Sequence, residues 1–110
     1  MFTFIELTSF SRVRDDYFDD DGFAEFQQYL ASHPGAGDVI PETGGVRKIR
    51  WARAGSGKRG GLRVIYYWWL GGDQFWLFTV YDKDEADDLS AKERKALKAL
   101  LDIELKARSS

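Results

Sequence analysis

Three strand-like runs joined by glycine-rich turns occupy the stretch of the chain from Val46 to Lys83. The runs cover residues 46–52, 62–70 and 74–82, and each is rich in β-branched and aromatic residues. Residues 53–61 connect the first two runs, and Gly71-Gly72-Asp73 connects the last two, which is a hairpin signal. Strands joined by tight turns pair antiparallel. The stretch therefore predicts a three-stranded antiparallel meander.

The residues before the meander predict one strand and two helices. Residues 2–7 alternate in the manner of a strand, and residues 10–16 favour a short helix. The acids at positions 19–21 offer N-caps for a second helix that runs to about Ser32. The sequence His33-Pro34-Gly35 ends that helix, because proline disfavours helical backbone at the residue before it.

A last helix is predicted to begin at Ser90, where Ser90 and Glu93 have the spacing of a capping box. One stripe of this helix is apolar and is expected to pack on the core: Leu97, Leu100, Leu101 and Leu105. With residues 35–45 interpreted as a connecting loop, the predicted order is β-α-α-β-β-β-α. This order predicts an α+β fold, a single domain over residues 1–110 with helices packed on a small antiparallel-rich sheet.

Composition narrows the class of protein. Hydrophobic residues make up 44% of the chain and aromatic residues 15%, which is enough for a globular core. The absence of cysteine excludes a disulfide scaffold and cysteine-ligated metal sites. The N-terminus lacks the pattern of a signal peptide, and no apolar run reaches transmembrane length, so we expect a cytoplasmic protein with no membrane partner.

The net charge of −2 conceals a strong separation of charge along the chain. Residues 1–45 hold two basic and nine acidic residues, whereas residues 46–83 hold eight basic and two acidic residues. A basic segment that also carries stacking rings is typical of proteins that bind single-stranded nucleic acid. For any one of these residues, a cation on the solvated rim of the sheet or a ring in the core is the better interpretation, but eight basic residues against two acids favour a polyanion for the set.

Alternation along the strands sorts the basic residues into faces. Lys48 and Arg50 share one face, and Arg63 shares a face with Ile65 and the rings at 67 and 69. In the third strand the strict period of two gives a single series: Phe75, Leu77, Thr79, Tyr81 and Lys83. The alternation predicts that Tyr81 and Lys83 are neighbours, but it leaves open which faces coincide across the sheet.

Other polar features favour structural roles. The loop at 55–61 lacks the spacing of a nucleotide-binding P-loop, so it is either a cationic loop that closes on a phosphate or a plain hairpin loop. His33, the only histidine, lies at a helix end and is better interpreted as a cap residue than as a ligand or base. The acids between Asp15 and Asp21 suit helix capping and a solvated face better than a Mg²⁺ site.

Several motifs together resemble a known family. They are GVRKIRWAR at 45–53, GKRGGLRVIYYW at 57–68 and LFTVYDKDE at 77–85, followed by the capped helix and preceded by GDVIP at 37–41. The chain resembles the RelE superfamily of bacterial toxins, and especially its HigB-like branch. The likeness covers almost the whole sequence.

This resemblance implies the toxin of a type II toxin-antitoxin system. Such toxins are endoribonucleases that cleave messenger RNA, usually on the ribosome, by attack of a ribose 2′-OH on the adjacent phosphate. The resemblance implies no metal and no cofactor. It also implies a cognate antitoxin that holds the toxin inactive and is typically a helix-turn-helix DNA-binding protein.

The resemblance also assigns candidate site residues. Arg63 would grip the scissile phosphate, and Lys83 would act as transition-state cation or proton donor. Lys58 and Tyr81 are further catalytic candidates, and the candidate RNA-binding residues are Lys48, Arg50, Arg53 and Arg59. The sequence departs from the HigB-like pattern at Asp84, where asparagine is common. No aromatic residue or histidine follows Tyr81, so the general base stays unassigned.

Two other classes of function remain open at this stage. A non-catalytic RNA-binding or ribosome-binding module would use the same basic strands to block translation without cleavage. A protein-interaction module would instead use the last helix and would show no affinity for RNA even at low salt.

Overall fold

The computed structural model describes residues 2–52, 61–71, 73–85 and 88–109. Its elements follow in chain order: β1 (Thr3–Glu6), α1 (Thr8–Tyr17), α2 (Asp20–Ser32), β2 (Asp38–Val39), β3 (Arg47–Trp51), β4 (Leu62–Trp69), β5 (Gln74–Asp82) and α3 (Ala91–Ser109). The α+β class and all the helices and strands predicted from the sequence are confirmed, with ends that differ by two residues or fewer.

The strands form one five-stranded mixed sheet in the order β1-β5-β4-β3-β2. The predicted antiparallel meander of β3, β4 and β5 is confirmed, and β1 adds to its far edge in parallel with β5. At the other edge lies β2, a two-residue strand within the segment predicted to be a connecting loop. The loop prediction was wrong there, because two residues are too few to show a strand period.

One face of the sheet is covered by α1 and α2, and we call it the inner face. Phe10 of α1 and Phe26 and Leu30 of α2 are fully buried there. Asp19 is the N-cap of α2, as predicted. Its side chain accepts a hydrogen bond of 2.6 Å from the backbone N–H of Gly22. His33 caps the other end of the helix, as expected.

The opposite, outer face is partly covered by α3. The capping box is confirmed: the N–H of Ser90 donates to Glu93 at 2.9 Å, and the N–H of Glu93 donates to the Ser90 hydroxyl at 3.1 Å. This reciprocal bonding lowers the pKa of the Glu93 carboxyl. The leucine stripe packs on the sheet as predicted, with Leu101 buried. None of the helices in the described ranges is long and apolar enough to cross a membrane.

A β-bulge between β4 and β5 corrects the predicted face series of the third strand. Ile65 pairs with Thr79 but Tyr66 pairs with Leu77, so Phe78 is the additional residue. Before the bulge, Phe75 and Leu77 point to the inner core; after it, Tyr81 packs with the outer-face cluster. The prediction that all these residues share one face was therefore wrong, because an inserted residue reverses the phase of a strand.

The turn between β2 and β3 fixes the edge of the sheet on which the site is built. Thr43 is fully buried, and its hydroxyl donates to the Ile40 carbonyl at 2.7 Å and accepts from the Val46 N–H at 3.1 Å. Gly44 has a φ of +83°, and a Cβ atom there would lie 3.3 Å from Leu101. The turn thus needs glycine for its backbone and for its contact with α3.

Candidate functional site

Three site candidates lie side by side across the outer face of the meander. Arg50 of β3 pairs with Arg63 of β4, and Arg63 pairs in turn with Tyr81 of β5. Directly opposed residues on one face of a sheet have Cβ atoms about 5 Å apart. We call these three residues the Arg50–Arg63–Tyr81 row. The structure therefore brings together residues that alternation alone could not align.

The two arginines of this row are a like-charge pair, which by itself destabilises a sheet. Arg50 is exposed and makes no ion pair with the described residues. Arg63 is half-buried, and its guanidinium donates a hydrogen bond of 3.1 Å to the Leu62 carbonyl. The planar guanidinium of arginine matches the oxygens of an anion such as a phosphate, so the two arginines are suited to bind one.

Tyr81 ends the row with a hydroxyl that is buried and has no hydrogen-bond partner within the described part of the chain. Burial raises the pKa of this phenol, the nearby Arg63 charge opposes the rise, and the carboxylates of Glu93 and Asp88 add to it. Tyr81 is therefore a neutral phenol at physiological pH. Chemically it can donate a proton or a hydrogen bond, and it is poorly suited to act as a base.

Lys83 lies one residue beyond β5 and continues the pairing of the sheet, because its N–H donates to the Gly61 carbonyl at 2.9 Å. The acids around it shape the turn that follows. Asp82 accepts a hydrogen bond of 2.9 Å from the N–H of Asp84, and Glu85 accepts one of 3.2 Å from the N–H of Asp82. The departure from the family pattern at Asp84 thus falls within a turn held by backbone-to-carboxylate bonds.

Glu85 also joins this turn to α1, since it accepts a hydrogen bond from the hydroxyl of Tyr17. Burial, and then the bond to Glu85 and its charge, raise the pKa of Tyr17 to about 12. The bond fixes the turn after Lys83 against the helix on the inner side of the sheet. Sequence reasoning did not identify this contact, because the two residues are far apart in the chain.

A broad groove of about 1290 Å³ lies beside the Arg50–Arg63–Tyr81 row, at the edge formed by β3. Lys48 lines it, with its Nζ atom 3.6 Å from Asp88 of the segment that leads into α3. Arg94 of α3 also lines it, and its guanidinium donates to the Leu89 carbonyl at 2.8 Å and lies 3.5 Å from Glu42. At this end of the groove each of the two cations is therefore paired with an acid.

Two aromatic residues on the wall of the groove were not among the sequence candidates. They are Tyr29 of α2 and Trp51 of β3, whose ring centroids are 5.3 Å apart. Nothing in the helical pattern of α2 marked Tyr29 as exposed. The position of β2 leaves this part of β3 uncovered, and that position was not predicted.

Other predicted residues fall outside the site or outside the described ranges. Arg53, Lys58 and Arg59 lie outside the residues that the structure describes. Arg47, which contributes to the basic segment, has a structural role: its guanidinium donates to the Gly37 carbonyl at 2.7 Å. Among the residues of the described ranges, no group of three histidine, aspartate or glutamate side chains could hold a metal ion.

The sequence matches the family model for the RelE toxin of the RelE / RelB toxin-antitoxin system over residues 39–110, about two thirds of the chain. The chain belongs to the RelE toxin family. The matched region begins in β2 and includes the whole meander, the Arg50–Arg63–Tyr81 row and α3. The predicted superfamily is thus confirmed, and the RelE-like fold expected from it agrees with the α+β architecture. Lys83 also lies within the matched residues, whereas Tyr29 of the groove wall lies before them.

Proposed function

We propose that this RelE-family protein is an endoribonuclease that cleaves messenger RNA on the ribosome. The observation that carries the proposal is the Arg50–Arg63–Tyr81 row, which aligns two arginines and a neutral phenol across the outer face of the sheet. Lys83 follows two residues after the phenol, directly beyond the end of β5, where its N–H continues the pairing with the residues before β4. Such a set suits a phosphodiester that gains negative charge during reaction.

The proposed reaction uses the RNA's own ribose as nucleophile. The 2′-OH loses its proton and attacks the adjacent phosphorus, the bond from phosphorus to the 5′-oxygen of the next nucleotide breaks, and that oxygen takes up a proton. The products are a 2′,3′-cyclic phosphate and a 5′-hydroxyl. The need for a 2′-OH restricts the reaction to RNA.

Each residue of the site has a separate role in this scheme. Arg63 binds the non-bridging oxygens of the scissile phosphate, and its planar guanidinium matches two of them at once. Lys83 stabilises the charge that develops on the leaving oxygen, and either Lys83 or Tyr81 supplies its proton. Arg50 and Lys48 hold the neighbouring phosphates, together with the predicted contributors Arg53, Lys58 and Arg59. The base that accepts the 2′-OH proton is assigned to none of these residues.

We further propose that the protein is of the HigB-like branch and is held inactive by a cognate antitoxin with a helix-turn-helix DNA-binding domain. Support comes from the motifs at 45–53, 57–68 and 77–85 together with the family match. A short helix-turn-helix protein encoded beside this chain would support the partner assignment. Copurification of the two proteins after joint expression would test the complex directly.

The decisive test is induction of the protein in a growing bacterial culture. Wild-type protein is expected to arrest growth and to create new 5′ ends within messages. The double variant Arg63→Ala/Lys83→Ala should do neither, whereas the matched control Arg12→Ala/Lys98→Ala, which removes exposed cations of α1 and α3, should act as wild type. A double variant as toxic as the parent would overturn the site assignment.

The non-catalytic RNA or ribosome binder is distinguished by the same experiment. It would arrest growth through the same basic surface but would leave messages intact. New 5′ ends in wild-type cells that are absent with Arg63→Ala/Lys83→Ala therefore support the nuclease over the binder.

A further inference from the structure

Aromatic rings from α2 and β3 form a continuous wall on the inner side of β3, on the opposite face of that strand from the Arg50–Arg63–Tyr81 row. Trp51 meets Phe26 of the core edge-on, with centroids 5.2 Å apart and planes at 80°. On its other side Tyr29 lies 5.3 Å away, and Tyr29 in turn stacks on His33 at 4.6 Å with planes at 22°. One end of this aromatic wall is packed in the core, and the other end reaches the surface.

The surface end of the wall is open to solvent. Tyr29 is 39% exposed, which makes it one of the large apolar side chains that the fold leaves uncovered. Trp51 is half-buried and lines the same groove as Arg50, its neighbour in the chain. Among the described residues, β2 pairs only with Arg47 and Lys48 of β3. The groove is lined from both faces of the sheet around the last residues of that strand, with Trp51 on one face and Arg50 on the other.

The charges of the groove are distributed unequally along it. At one end Lys48 pairs with Asp88, and Arg94 pairs with Glu42. Beside the rings lies Arg50, which has no acidic partner among the described residues. A further acid, Asp38, also lines the groove, opposite Lys48 in the register of β2 and β3. The cation of the groove without an acidic partner in the described ranges is therefore Arg50, which precedes Trp51 in the chain, lies on the opposite face of β3 and pairs with Arg63 in the sheet.

We propose that this groove is a nucleobase-stacking subsite for single-stranded RNA. A base adjacent to the scissile phosphate packs against the wall of Tyr29 and Trp51, and Arg50 binds the phosphate that joins this nucleotide to the one held at Arg63. The arrangement combines a stacking surface with a cation at the backbone, which is how sequence-tolerant single-strand sites are built. The groove volume of about 1290 Å³ is ample for a nucleotide. The subsite rests on the proposed function in that RNA is the ligand.

The test measures RNA binding apart from cleavage. The probes are short single-stranded RNAs protected by 2′-O-methyl groups, together with a set in which one base at a time is removed to leave an abasic position. Tyr29→Ala should weaken binding of the intact RNA roughly 5- to 100-fold. Tyr29→Phe, which keeps the ring, should bind within about twofold of wild type on the same stacking argument. Thermal melts confirm that both variants are folded.

The abasic probes separate stacking from an indirect effect. When the base that packs on the wall is missing, wild type and Tyr29→Ala should bind equally well. Equal binding of intact RNA by the two proteins, or an equal loss with every abasic probe, would overturn the subsite, as would a wild-type protein that binds none of these RNAs at low salt. Cleavage of messages is scored separately by the induction experiment, so a base-dependent Tyr29 effect without new 5′ ends would defeat only the nuclease proposal.

Discussion

Arg63 lies directly opposite Tyr81 in the antiparallel pair of β4 and β5, and this contact exists because Phe78 forms a bulge in β5. Without the additional residue, Tyr81 would share a face with Phe75 and point into the core formed with α1 and α2. The bulge instead turns the phenol to the outer face beside the guanidinium. Bulges are known to re-aim side chains near active sites, and here one completes the candidate site.

Replacing Tyr81 by phenylalanine should separate stability from activity. The variant loses a buried hydroxyl that has no partner in the described part of the chain, so its free energy of unfolding should rise, by at most about 1–3 kcal/mol. If the phenol donates the proton, the cleavage rate should fall about 10²-fold. Denaturant unfolding and single-turnover cleavage measure the two effects. A less stable but fully active variant would contradict both expectations.

Removing the carboxylate of Asp88 should strengthen RNA binding. Asp88 lies 3.6 Å from the Nζ atom of Lys48 and forms an ion pair with it. The ion pair competes with the phosphate that Lys48 is proposed to bind. In Asp88→Ala, Lys48 becomes available, and the slope of log K against log salt should steepen by about 0.7 for a single strand. Asp102→Ala is the control, because it removes a similar surface partner from Lys98 on α3. An unchanged slope in Asp88→Ala would show that Lys48 does not contact the backbone.

Much of the fold was predictable because its signals are local. The capping box at Ser90 and Glu93, the N-cap at Asp19 and the alternation of β3 and β4 each lie within a few residues of sequence. Local hydrogen bonding and side-chain period determine such features. The family motifs then supplied Arg63 and Lys83 as candidates, which alternation alone would have left among eight basic residues.

The features that were not predicted depend on contacts between distant residues. The bulge at Phe78 depends on the register between two strands, and a strict period of two cannot reveal it. The parallel pairing of β1 with β5 joins residues about seventy positions apart. The groove wall depends on how α2 lies against the end of β3, so the exposure of Tyr29 could not be predicted from the sequence pattern. In each case the feature depends on packing between residues far apart in the chain, which a short sequence pattern does not predict.

The hydroxyl of Tyr66 supports the groove from within the core. It donates to the Pro34 carbonyl at 2.8 Å and accepts from the Gly37 N–H at 3.0 Å, and so holds the turn that leads into β2. Tyr66→Phe leaves both backbone groups without this partner and should lower the free energy of unfolding by about 1–3 kcal/mol. Tyr67→Phe, on the outer face, is the matched control. Equal stability of the two variants in urea would contradict this role.

Burial of Tyr17, together with its bond to Glu85, should make stability depend on pH in the alkaline range. The folded protein holds the pKa of Tyr17 at about 12, above the ordinary value of 10.0. A raised folded-state pKa means that the folded protein keeps a proton which the unfolded chain releases. The stabilisation is therefore fully present below about pH 10, the ordinary tyrosine pKa, and it is lost as the pH rises toward 12.

Tyr17→Phe isolates this contribution, because burial also raises the pKa values of Tyr66 and Tyr81, which both proteins retain. The difference in free energy of unfolding between wild type and variant should be constant at neutral pH and should shrink as the pH increases beyond about 10. Denaturant titrations at intervals from neutral to alkaline pH measure it. A difference that stays constant across the whole range would show that Tyr17 titrates alike in the folded and unfolded chains, and that Glu85 does not hold its proton.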